Sequence, residues 1–124
     1  MNRTVLIVEG LPIMRRVVER SLRLAGMEVQ QVLEAAEGQE ALHLIETTRP
    51  NLILSEISLV GMDGIEFLRQ LRASEATRAI PVVFIAGAAL ETQVNEALQL
   101  GAQGFIRKPF TVDQIKDYVA PLLA

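Results

Sequence analysis

The stretch that decides the fold is NLILSEISLVGMDG, Asn51 to Gly64. Its apolar run, Leu52 to Leu54, is bounded by turn residues, too short for a helix, and has the profile of a strand buried on both faces. An acid, Glu56, follows the run, and the loop behind it closes on Met62-Asp63-Gly64, residues suited to a turn and a helix start. One buried strand therefore delivers one carboxylate to the mouth of a sheet.

Working outward, the same alternation of short apolar runs and helical periods recurs along the chain. Val5 to Val8 is a first strand, and Pro12 suits the first turn of a helix with apolar positions at Ile13, Val17, Val18, Leu22 and Ala25, stopped by Gly26. Val29 to Leu33 is a weaker strand, broken by Gln30 and Gln31, and is expected at the edge. Gly38 opens a second helix carrying Ala41, Leu42 and Ile45, and Pro50 forbids its continuation. Ile65, Leu68 and Leu71 mark a third helix, and Pro81 leads into the strand Val82 to Ile85. Leu90, Val94, Ala97 and Leu98 predict the buried stripe of a fourth helix, with Gly101 past its end. Gly104, Phe105 and Ile106 form a short last strand. Thr111 then starts a final helix, Gln114 closing a capping box, with Val112, Ile115, Val119 and Leu122 turned to the core.

Five strands alternating with five helices predict an α/β, doubly wound parallel sheet, read as one domain over residues 1–124. In such sheets the site lies beyond the carboxyl ends of the strands. The residues placed there are Glu9 and Gly10, Glu56, Ala86 and Gly87, and Lys108.

Composition narrows the function. A chain of 124 residues buries roughly two-thirds of its unfolded surface, enough for one core. The net charge of −3 argues against a nucleic-acid binder held by its overall field. Arg15, Arg16, Arg20 and Arg23 still make a local basic face, either a solvated helix surface or a dock for an acidic partner. The chain has no cysteine, which excludes a disulfide scaffold and a thiolate metal site. Its apolar runs are too short for a signal peptide or a membrane span, and a cytoplasmic location is expected.

LIVEG (Leu6 to Gly10), NLILSEI (Asn51 to Ile57), GMDG (Gly61 to Gly64), IPVVFIAG (Ile80 to Gly87) and GFIRKPF (Gly104 to Phe110) together carry a family resemblance. Over nearly its whole length the chain resembles a response-regulator receiver domain, as an atypical member. The resemblance implies a flavodoxin-like sheet of order 2-1-3-4-5. It also implies an acid pair for Mg²⁺, an aspartate that takes a phosphoryl group, a Thr or Ser that contacts it, and a lysine that pairs with it. Here the acid pair is Glu9-Gly10, the acceptor position holds Glu56, the hydroxyl position holds Ala86, and only Lys108 keeps the pattern.

These departures remove metal charge, acceptor geometry and phosphoryl sensor together. No catalytic residue, no metal and no cofactor are therefore expected, with Mg²⁺ binding weakly at most. Glu56 either reaches Lys108 and imitates a phosphorylated aspartate, in a partly exposed pair worth about 0.2–1 kcal/mol, or is a plain polar strand end. Glu9 is expected to be a solvated leftover acid. Phe105, at the family's aromatic switch position, is expected to turn inward and be largely buried. Ser55 packs, Asp63 serves the loop, His43 lies on the surface, and Val60 replaces a proline common in the family.

The chain is thus expected to be a two-component signalling module and not an enzyme, working without phosphorylation. Its partner, a kinase, an effector or a second copy in a homodimer, is expected on the face of Leu90 to Leu100, Gly104 to Ile106 and Thr111 to Leu122. Nucleic acid and membrane are not expected partners. The rival readings are a Mg²⁺-dependent phosphoacceptor using Glu56 or Ser55, and a structural dimerisation domain of a larger regulator.

Overall fold

Five apolar runs become the strands of one parallel sheet: β1 (Thr4–Val8), β2 (Gln31–Ala35), β3 (Leu52–Ser55), β4 (Val82–Ala86) and β5 (Gly104–Arg107). The computed structural model describes residues 3–123. The strand order is β2-β1-β3-β4-β5, every neighbouring pair parallel, so the winding direction reverses between β1 and β3. Val8 pairs with Ser55, which sends the next residues, Glu9 and Glu56, off adjacent strand ends at one level.

The helices α1 (Pro12–Leu24), α2 (Gly38–Thr47), α3 (Gly64–Ala73), α4 (Glu91–Gln99) and α5 (Val112–Leu123) cover both faces. Alternation within β1 shows the division. Val5 and Ile7 pack with Val18, Leu22, Ile115 and Val119 of α1 and α5, whereas Leu6 and Val8 pack with the side of α2, α3 and α4, through Ala41, Phe67, Leu68 and Ala97. Asp63 caps α3 by accepting from the Glu66 N–H at 2.8 Å. Thr111 and Gln114 form the expected capping box, at 3.1 and 2.8 Å.

Three expectations shift. The edge strand begins two residues later than read, because β1 sets its register: Thr4 pairs with Gln31, and Val29 is buried ahead of the strand. On α1 the inward face is Val18, Ser21, Leu22 and Ala25, while Ile13 and Val17 are exposed. On α4 only Ala97 is fully buried, and Leu90 and Leu98 face outward. In both helices the apolar positions are numerous enough to draw more than one stripe, and contact with the sheet selects one of them.

Two features hold α3, α4 and α5 at their distances. Arg72, near the end of α3, donates to three carbonyls: Leu100 at 3.0 Å and Gly101 at 3.1 Å, which the end of α4 leaves without helical partners, and Ile80 at 2.9 Å, just ahead of β4. The Tyr118 ring of α5 lies directly over Gly104, where a Cβ would overlap its ring carbons.

Arg72→Met strips these carbonyls of their shared donor and is expected to destabilise the fold by about 1–3 kcal/mol. Arg72→Lys recovers only part of the loss, since an ammonium on a single stem cannot present the guanidinium's fixed fork. Urea unfolding of the three proteins measures both.

Candidate functional site

Three strand ends meet over the sheet. Glu9 follows β1 and anchors to β2 through its N–H on the Ala35 carbonyl at 2.9 Å; Glu56 follows β3 and donates its N–H to Val8 at 2.9 Å; the Lys108 N–H extends the β4–β5 ladder to Ala86 at 2.8 Å. The Lys108 side chain then crosses above β4, and its Nζ donates to Glu56 Oε2 at 2.7 Å and to Glu9 Oε1 at 3.1 Å. The remaining oxygens are also engaged. Glu56 Oε1 accepts from the N–H groups of Ile57 (2.8 Å) and Ser58 (3.3 Å), and Glu9 Oε2 from that of Gly10 (3.0 Å).

The triad is largely removed from water, the side chains of Glu9, Glu56 and Lys108 being 8, 9 and 17% exposed. Glu9 is therefore not the solvated leftover expected of it. Tertiary packing of the β1–α1 turn, which period and composition do not reveal, encloses it. Burial pulls the Lys108 ammonium's pKa down, but its hydrogen bonds to Glu56 and Glu9, with their charges, outweigh that and leave it above the ordinary lysine value. Two acids against one base leave a net charge of −1 beneath the surface. Removing the lysine would strand both carboxylates, a loss of about 3–5 kcal/mol for a buried pair, well beyond the surface-pair value expected from sequence.

The altered positions lie where expected. Ala86 is buried at the end of β4 and offers only a methyl group. A Cβ on Gly87 would stand 3.8 Å from the Lys108 stem. At Gly10 a Cβ would meet only the Ala36 carbonyl, at 3.8 Å, so packing leaves room for a side chain there. Gly10, Leu11, Ser58 and Val60 border an open depression of about 560 Å³ above the triad. Among the described residues no three acids, histidines or cysteines are grouped so as to hold a metal ion.

Other candidates sort themselves by contact. Phe105 is only partly buried: its ring leans on Phe84 with centroids 6.0 Å apart, while the Arg107 guanidinium lies over it at 5.7 Å. Ser55 is buried and donates to the Glu56 carbonyl at 2.9 Å, and His43 is exposed beside Glu46. Sequence reasoning missed Arg15 as a site residue. Its Nη1 donates to the Glu9 carbonyl at 2.6 Å and its Nε to Glu34 at 2.9 Å, tying the turn that carries Glu9 to β2. The only signal was its place in a cluster of arginines, which does not tell one from another.

Comparison with known proteins matches residues 5–120 to the family described as "Response regulator receiver domain". Chemotaxis protein CheY-3 of Vibrio cholerae is 35% identical over 116 residues, 94% of this chain and 88% of its own. Among solved structures, the chemotaxis response regulator CheY4 of Vibrio cholerae superposes with a TM-score of 0.84 at 26% identity, covering 99% of this chain and 100% of its own. The receiver domain of a sensor histidine kinase from Pseudomonas aeruginosa, with a magnesium ion coordinated in its active-site cleft, gives 0.83 at 28% identity, covering 99% of this chain and 98% of its own.

The raised Lys108 pKa fixes the sign of a pH effect. A cation stabilised by folding contributes fully below its unfolded value, about 10.4, and loses that contribution as pH rises through the higher folded value. Lys108→Met is expected to unfold at lower denaturant than the parent at pH 7, with a gap that stays level to about pH 10 and closes above it. Denaturant midpoints across that range test this, and a gap that widens in alkali contradicts it.

Proposed function

This chain belongs to the response regulator receiver domain family of two-component signalling, and from that premise we propose that it signals without being phosphorylated, through protein contact alone. The observation that carries this reading is the lysine already held by Glu56 at 2.7 Å and Glu9 at 3.1 Å. In a phosphoryl acceptor a lysine in this place pairs with the incoming group. Here the longer Glu56 side chain supplies an anion to it permanently.

The donor set fits Mg²⁺ poorly. That ion asks for near-octahedral oxygen geometry and usually one or two carboxylates free to turn toward it. Glu9 and Glu56 each spend one oxygen on Lys108 and the other on backbone N–H groups, and Gly10 contributes no carboxylate. Glu56 also places its oxygens about an ångström beyond an aspartate's reach, a displacement that costs on the order of a hundredfold in a step that depends on alignment. We read the protein as needing no cofactor and performing no catalysis.

The partner is a protein, a kinase, an effector or a second copy, received on the surface of α4, β5 and α5. Leu98 and Tyr118 stand exposed there, and Phe105 packs beneath Arg107 between the two helices. Aromatic residues and arginine, here Tyr118, Phe105 and Arg107, are the types enriched at protein interfaces.

Incubation with acetyl phosphate and millimolar Mg²⁺ is expected to leave the protein without hydroxylamine-labile phosphate, and stoichiometric labelling would end the proposal. Glu56→Asp alone is expected to restore nothing. Gly10→Asp, Glu56→Asp and Ala86→Thr together are expected to restore Mg²⁺-dependent binding of beryllium fluoride, seen by NMR. Metal charge, acceptor reach and hydroxyl contact act as one unit, so their effects do not add.

A further inference from the structure

We infer that the depression above the Lys108 triad is a binding site for a small organic monocation, an ammonium carried on a hydrocarbon body. Its volume, about 560 Å³, suits a small organic molecule. Leu11 and Val60 border it from the loops after β1 and β3, and they are 61 and 73% exposed. Covering them with hydrocarbon removes apolar surface from water.

Two glycines keep the hollow open. Gly10 and Gly87 both line it, and neither adopts the left-handed conformation, which among the described glycines belongs to Gly26, Gly61 and Gly101. Packing does not demand them either, since a Cβ at each would meet nothing beyond its adjoining residues closer than 3.8 Å. The missing side chains therefore shape the space above the triad and leave the backbone unaffected.

The floor decides the sign of the ligand. Glu9, Glu56 and Lys108 line it and together carry a single negative charge, which repels an anion and which one cation balances. Of the four carboxylate oxygens Glu9 Oε2 is the least engaged, accepting only from the neutral Gly10 N–H at 3.0 Å. An ammonium beside Gly10 adds a charge-assisted hydrogen bond there and leaves Lys108 in place. A polyamine is a poorer occupant, because its further charges would lie against Leu11 and Val60.

This inference rests on the reading that neither metal nor phosphoryl group takes the mouth of the sheet, yet the two fail separately. Labelling by acetyl phosphate would end that reading, whereas the titration, run without Mg²⁺ or phosphoryl donor, bears on the ammonium site alone. Hexylammonium is added to ¹⁵N-labelled protein at neutral pH, and saturable amide shifts are expected at Gly10, Leu11, Ser58, Val60, Gly87 and Ala88. Glu9→Gln is expected to weaken binding by at least about tenfold. Gly10→Val, which fills the hollow, is expected to abolish binding while its unfolding midpoint stays no lower than the parent's. Hexanol or hexanoate binding as tightly as hexylammonium, spermidine binding more tightly, unchanged binding to Gly10→Val, shifts centred elsewhere, or no saturable shift would each overturn the proposal.

Discussion

A single ammonium held between two carboxylates joins the ends of three strands. Lys108 belongs to the segment after β5, yet its partners follow β3 and β1, so its stem must pass across the end of β4. That crossing passes close to the residue after β4, where a Cβ on Gly87 would stand 3.8 Å from the lysine stem. Charge balance and strand spacing are therefore one constraint: a shift of β5 away from β3 would draw the lysine from its acids, and two carboxylates would be left together out of water. The same contact also closes the carboxyl edge of the sheet.

Much of the fold was legible because the chain states its elements locally. Pro50 and Pro81 mark ends that backbone chemistry enforces, Thr111 and Gln114 cap a helix as they would in isolation, and the apolar runs of β1, β3 and β4 are continuous because both faces are covered. What was not legible depends on neighbours distant in sequence. The start of β2 follows from its pairing with β1, and the inward faces of α1 and α4 follow from the shape of the sheet beneath them. At the site, the pairing of Lys108 with Glu56 could be anticipated from residue types at strand ends. The burial of Glu9 could not, since an acid beside a glycine looks solvated until the turn around it is built.

The arginines show how far one residue type can diverge within one chain. Arg72 spends its guanidinium on backbone carbonyls and Arg15 divides its own between the Glu9 carbonyl and Glu34, Arg107 covers an aromatic ring, and Arg16 and Arg20 remain exposed at the surface. Sequence groups Arg15, Arg16, Arg20 and Arg23 into one basic face, whereas structure divides them by the geometry of what each can reach. A fork of fixed donors suits carbonyls that diverge from a helix end.

The seating of Tyr118 on Gly104 has a consequence for inheritance. Position 104 has no side chain to do chemistry, yet that lack sets how closely α5 approaches the sheet. Any replacement, alanine included, would push against an aromatic ring on a helix already seated by Ile115 and Val119, and the surface formed by β5 and α5 would move as a body. Among descendants of this gene, variation should be scarce at this silent glycine, whose whole contribution is the distance it allows.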